Sequence, residues 1–222
     1  MPSHKIHMAI AQIVNKELKL NNDKITLGSV LPDLTIMKNH GLSHFQYIDE
    51  YPYNLASADE FVKKYNMFDD ISIGYIIHLL TDRYYNYRYY NDFYDFEDNK
   101  PYKLKEEYSY IDNIKKFKHD LFESYDIYLL KNVLIEKIND ISIINFIPNY
   151  DDIKFDKDYL SEYILKSNDE IDYYRNNLDL NYEIDNQYYL DELFNGCIKY
   201  VEKYLVNILK RRNIYEVTRI NK

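Results

Sequence analysis

A single cysteine, Cys197, and no tryptophan occur in a chain of 222 residues. One cysteine excludes an internal disulfide and fits a reducing compartment, so a cytoplasmic location is expected. Four glycines and five prolines are too few turn residues for a many-stranded β protein. No uninterrupted apolar run approaches the ~20 residues of a transmembrane helix. The opening MPSHKIHMAIAQ lacks the charged region and pure apolar stretch of a signal peptide, so none is expected. Positive charge is also scarce: 28 Lys and Arg against 37 Asp and Glu leave a net charge of −9. That balance argues against a broad basic face and a stable nucleic-acid partner, because phosphate neutralisation drives such binding. A phosphate substrate stays compatible with it where metal ions supply local positive charge.

What is abundant is apolar and aromatic, including 27 tyrosines, whose ordinary use is core packing. The length suits one compact domain with a real core. The spacing predicts a first helix over 4–19, capped by Ser3, with Ile6, Ala9, Ile10, Ile13, Val14 and Leu18 as its apolar stripe. Gly28 and Pro32 predict an extended segment over 25–34 that presents Asp33 from a stiff loop. A short helix over 57–65 opens on the capping-box pair Ser57 and Glu60. Further helices are expected over 69–85, 104–119, 125–133, 157–176 and 186–212. The tyrosine-rich run 84–102 prolongs the helix over 69–85 and then loops out to Pro101. The apolar run 141–147 fits a helix or an extended chain equally well.

The stretch 69–85, DDISIGYIIHLLTDRYY, organises the rest. Its apolar residues surround the helix axis, which marks an element buried on most sides. His78 and Asp82 lie four apart and so share one face. An imidazole and a carboxylate inside an apolar element are costly unless paired or bound, and both are ordinary zinc donors. Five of the six histidines fall within residues 4–78, beside Asp33 and Asp82. A lone histidine is more often a hydrogen-bonded core residue than a ligand; the joint pattern of His7, Asp33, His44, His78 and Asp82 is what points to metal. His4, three residues before His7, is a candidate substitute ligand or a surface residue at a helix start. His40 reads as a non-ligand. Arg83, adjacent to Asp82, reads as solvated surface because it points about 100° away.

The order His7, LGSVLPDL with Asp33, Ser43-His44-Phe45, and Gly74-Tyr75 followed by His78 and Asp82 resembles the zinc-dependent phospholipase C family. The later KHD and YD segment, with His119, Asp120, Tyr125, Asp126 and Leu129, is similar to intracellular bacterial relatives. The similarity covers about residues 1–130. It implies an all-α, single-domain multi-helix fold of the phospholipase C and P1 nuclease type, with a metal site between helices. It further implies that Asp33, His44, His78 and Asp82 bind one zinc ion, and that Asp82 bridges to a second ion held by His7. The chain lacks the amino-terminal tryptophan of the secreted enzymes, and no histidine follows His119 to make their downstream HxxxE pair. One or two zinc ions are therefore expected rather than three, with other divalent metals as alternatives and with His119 and Asp120 completing the second.

The activity so implied is hydrolysis of a small-molecule or lipid phosphoester by a metal-bound hydroxide, with Asp33 and Asp82 in the catalytic set. Two other readings stay open. One is a non-catalytic structural metal-binding or interaction protein with a degenerate site. The other is an HD-type phosphohydrolase built on His119 and Asp120, although that dipeptide here follows a lysine-rich stretch.

Overall fold

The central element is α5 (Asp70–Phe93), in which every residue from 71 to 82 is buried in the computed structural model of the chain. The structure describes residues 2–36, 40–46, 55–98, 100–132, 135–177 and 186–211. Asp69 starts α5: its carboxylate accepts hydrogen bonds from the backbone N–H groups of Ile71 and Ser72 at 3.0 and 3.2 Å. A cap of this kind is worth about 1 kcal/mol. Its apolar side chains contribute more, because a fully buried Ile or Leu supplies about 1.5–3 kcal/mol.

Around α5 pack α1 (His4–Leu18), α2 (Asn22–Gly28), α4 (Ala58–Tyr65) and α8 (Gln187–Arg211). α3 (His40–Ser43) lies against the 3₁₀ turn Leu31–Leu34, while α6 (Ile114–Lys131) packs on α1 and α7 (Lys157–Asn176) packs on α6. A two-stranded antiparallel hairpin, β1 (Tyr94–Glu97) and β2 (Lys100–Leu104), follows α5 directly. The described residues are thus mostly helical, as the composition predicts. None of the helices searched among them is long and apolar enough to cross a membrane.

The crossing of α2 over α5 sets the positions of the site residues. A Cβ on Gly28 would lie 2.1 Å from Ile71 O, and one on Gly74 would lie 2.3 Å from Ile25 O. Only glycine at both positions lets the two backbones meet this closely. The contact brings Ser29, which follows Gly28, over the turn of α5 that carries His78. Only some of the tyrosines pack the interior: Tyr75, Tyr85, Tyr125 and Tyr150 are among the largest fully buried side chains, whereas Tyr102, Tyr110 and Tyr188 are exposed.

Several boundaries differ from those the sequence predicts. Residues 25–34 are not extended; Asn21 caps α2, and Pro32 sits inside the following 3₁₀ turn. Gly28 ends a helix and packs it, where the sequence suggested only a breaker. The two helices expected over 104–119 and 125–133 are one helix, α6, preceded by strand β2 and a 3₁₀ turn at Glu106–Tyr108. Its inward positions Leu121, Phe122, Tyr125 and Leu129 keep helical spacing without a break. The tail of the tyrosine-rich run forms the hairpin rather than a loop. Residues 141–147, left open between helix and strand, contain the 3₁₀ segment Ile141–Phe146, with Ile143 and Ile144 buried. Val133 and Arg212, the ends of two expected helices, lie outside the described residues.

Candidate metal centre

Five polar side chains from four segments meet beside α5. His7 comes from α1, Asp33 from the 3₁₀ turn, His44 from the residue after α3, and His78 and Asp82 from α5. His7, His44, His78 and Asp82 are fully buried, and Asp33 retains 10% side-chain exposure. His44 Nε2 lies 3.2 Å from Asp33 Oδ1, 3.2 Å from Asp82 Oδ2 and 3.1 Å from His78 Nε2. His78 Nε2 is 3.5 Å from Asp82 Oδ2 and 4.0 Å from Asp33 Oδ2. His7 Nε2 approaches the other oxygen, Asp82 Oδ1, at 3.3 Å. Asp82 therefore turns one oxygen toward His7 and the other toward His44 and His78.

Local structure holds each ring. His78 Nδ1–H donates to Ser29 O at 2.7 Å, which in the neutral ring leaves Nε2 as a lone pair facing the carboxylates. The Gly28–Gly74 contact is what delivers that carbonyl. His44 Nδ1 meets Ser43 Oγ at 3.0 Å, and Tyr75 O–H donates to Ser43 O at 2.5 Å. Phe45 adopts a left-handed backbone, φ 52°, and its ring packs edge-on against Phe61 and Tyr65. That strained conformation, unusual for a bulky residue, is held by the aromatic cluster and fixes the turn at His44. The His7 ring stacks on His78 with centroids 3.9 Å apart.

The electrostatics separate the two outer histidines. Burial, reinforced by the charge of His78, lowers His7 to about 4, against weaker support from Asp82. Burial also disfavours the charged form of His44, but hydrogen bonds to Asp33 and Asp82 outweigh it and raise that ring to about 10. Burial pushes both carboxyls up. For Asp82, attraction to His78 and hydrogen bonds from His44 and His7 win and hold it well below the usual range. For Asp33 the same balance runs through His78, His4 and His44. The cluster is thus two carboxylates and a set of imidazoles closed away from water.

The residues present fit a divalent cation. Two donors about 2.0–2.1 Å from a tetrahedral ion stand roughly 3.3 Å apart, the spacing of most pairs above. His7 Nδ1 is buried without a partner among the described residues, and His7 Nε2 and both oxygens of Asp82 meet only one another and the ring nitrogens of His44 and His78, at 3.2–3.5 Å. The hydrogen-free nitrogen of His7 and the two oxygens of Asp82 put three lone-pair atoms in one closed place, and a cation satisfies all three, as buried polar groups ordinarily are. Two overlapping donor groups suit an ion: His7, His78 and Asp82, and Asp33, His44 and His78.

The other candidates fall differently. His4 Nε2 lies 3.4 Å from Asp33 Oδ2 and is partly exposed, so it stands at the rim of the cluster. The structure does not bring His119 or Asp120 into the cluster. Both are exposed on α6, and Asp120 pairs with Lys116 one turn away. Helical spacing in α6 turns 121, 122 and 125 inward and therefore 119 and 120 outward. Arg83 is half-buried rather than solvated, and its Nη1 donates to Ala56 O at 3.3 Å. The side chain of His40 lies outside what the structure describes. Sequence reasoning missed the Ser29 carbonyl, a backbone group without a side-chain signature. A cavity of about 720 Å³ adjoins the cluster, with His4, Asp33 and His119 among its lining residues.

Compared with protein-family models, with curated proteins and with solved structures, the chain matches none.

Proposed function

We propose that the chain is a metal-dependent hydrolase of phosphoric esters, with the phospholipase C-like helical fold that its motif order resembles and with zinc as the first metal to test. The observation that carries the reading is the set of buried ligand atoms on His7 and Asp82 that meet only one another and the facing rings, next to Asp33, His44 and His78. His44, His78, Asp33 and Asp82 Oδ2 would hold one ion, and His7 with Asp82 Oδ1 a second. A divalent cation there supplies Lewis acidity and positive charge opposite the phosphoryl oxygens.

The chain's own groups do the positioning. Ser29 O fixes the His78 ring, and the Phe45 turn fixes His44. Burial excludes water from all donors except at the Asp33 edge. A carboxylate held as low as Asp33 accepts a proton poorly, so Asp33 serves as ligand and as orienting acceptor at the cavity floor. The test is a screen of phosphodiester and phospholipid substrates with metal-supplemented protein and with Asp82→Asn. Metal-dependent turnover lost in the variant supports the proposal; equal rates in both reject it.

A second reading is favoured by one feature. The donors His7, His78 and Asp82 are fully buried, and structural metal sites are closed. On that reading a single ion ties α1 to α5 and the chain turns over nothing. Chelation then lowers the melting temperature sharply without any activity to lose.

A further inference from the structure

We propose that His4 and Asp33 Oδ2 form a capture site for divalent cations where the cavity meets the cluster, and that ions reach the closed donors through it. The inference rests on the metal centre of the preceding reading and is independent of hydrolysis.

A closed set of ligands has to be filled from somewhere. His7, His44, His78 and Asp82 are fully buried, and Asp33, at 10% side-chain exposure, is the one of the five that solvent touches. Asp33 lines the cavity of about 720 Å³ together with His4, whose side chain is 34% exposed. Among the described residues that line it, none of the other four appears. A cation arriving through the cavity therefore meets His4 and Asp33 first.

From that point the donors run inward without a gap. His4 Nε2 lies 3.4 Å from Asp33 Oδ2, close to the spacing of two donors on one tetrahedral ion. Asp33 Oδ2 is 4.0 Å from His78 Nε2, and Asp33 Oδ1 is 3.2 Å from His44 Nε2. Asp82 Oδ2 follows, 3.2 Å from His44 and 3.5 Å from His78, and Asp82 Oδ1 is 3.3 Å from His7. With this spacing a cation meets the next donor before it leaves the last. It never stands in the interior stripped of ligands, where an unpaired charge is most costly. Two protein donors are fewer than the three or four of a tight site, so the outer position captures and passes on rather than retains.

The fold holds this outer pair in place. His4 is the first residue of α1, and both of its neighbours are tied down. Ser3 Oγ accepts from Ile6 N–H at 3.3 Å and donates to the Asp126 carboxylate in a short hydrogen bond. Lys5 Nζ donates to Ser167 Oγ at 2.7 Å and pairs with Glu170 at 2.9 Å. The His4 ring packs edge-on against Tyr163, with centroids 5.2 Å apart. Among the carboxylates and lysines of the lining, Lys5 and Glu170 offset each other. Asp33, Glu123 and Asp126 then outnumber Lys166, and acidic walls raise the local concentration of cations.

A residue that acts only on passage changes uptake and release by the same factor and leaves affinity alone; a resident ligand lowers affinity. The experiment is stopped-flow uptake of Co²⁺ by metal-free protein, read by cobalt absorption, and release into excess chelator. His4→Ala is expected to slow both by about tenfold, with ion count unchanged and affinity within about twofold of wild type. Glu123 is exposed on α6, so Glu123→Lys should fold normally. It should slow uptake at low salt and lose that effect at high salt, as screening requires. Unchanged rates in His4→Ala overturn the capture site and leave the metal centre standing. A lost ion, or a fall in affinity with uptake unchanged, makes His4 a resident ligand and overturns its role in passage. A wild type that takes up neither cobalt nor zinc overturns the metal centre and this site together. Turnover enters none of these readouts, so an inactive protein with the expected rates rejects hydrolysis and supports the capture site.

Discussion

His44 Nε2 and His78 Nε2 face each other at 3.1 Å, both beside the Asp82 carboxylate and both out of reach of water. The second nitrogen of His78 donates to Ser29 O, so Nε2 is the ring nitrogen left to face the cluster. Without an ion, hydrogen bonds to Asp33 and Asp82 hold a proton on His44. With one, both nitrogens point at the same cation.

Metal binding should therefore release a proton from His44. That ring is raised to about 10, so at pH 8 the metal-free protein holds the proton and the loaded protein does not. Calorimetric titration with zinc in buffers of different ionisation enthalpy should report close to one proton released per chain. Release that is unchanged in His44→Asn contradicts the assignment.

The same residue gives the metal-free protein a pH dependence of stability. A histidine raised on folding stabilises fully below its unfolded value of about 6.5 and loses that contribution as pH rises through about 10. His7, lowered to about 4, has the opposite sign: its contribution is present above about 6.5 and is lost as pH falls toward 4. Between pH 7 and 9 the metal-free wild type should lose melting temperature relative to His44→Asn. Parallel curves for the two proteins would sink this account of His44.

Gly74→Ala tests the backbone contact that delivers Ser29 to His78. The added Cβ would lie 2.3 Å from Ile25 O, and backbone cannot swing aside as a flexible side chain can. A loss of about 1–3 kcal/mol in denaturant unfolding is expected, together with weaker metal binding. An alanine variant as stable as wild type would show that α2 and α5 do not cross as described.

How much of this was legible in the sequence depends on which interaction carries each feature. His78 and Asp82 were readable because an i, i+4 pair inside an apolar helix has one geometric outcome. Their meeting with His7, Asp33 and His44 followed from motif order. Gly28 misled, because a glycine that permits close helix packing looks the same as one that ends a helix; the segment 25–34 became extended on paper and helical in the protein. His119-Asp120 misled for another reason. A dipeptide carries chemistry in its letters, while its direction is set by the apolar stripe at 117, 121, 122 and 125. Ser3, Lys5 and Asp126 meet across more than a hundred residues, a proximity that no local pattern encodes.

That correction has its own test. His119→Ala and Asp120→Ala, both on the exposed face of α6, should leave metal stoichiometry unchanged and affinity within about twofold. Losing an ion on either substitution would restore them to the ligand set. By contrast, Asp82→Asn should lower affinity by more than about 100-fold, since even residues that only orient a ligand cost 10–100-fold.

The most direct measurement is the metal content of untagged protein, by plasma mass spectrometry, before and after Asp82→Asn. Two divalent ions per chain, both lost or weakened in the variant, are what the hydrolytic cluster predicts. A wild-type protein that holds no ion even after zinc is supplied would contradict the metal centre and everything built on it.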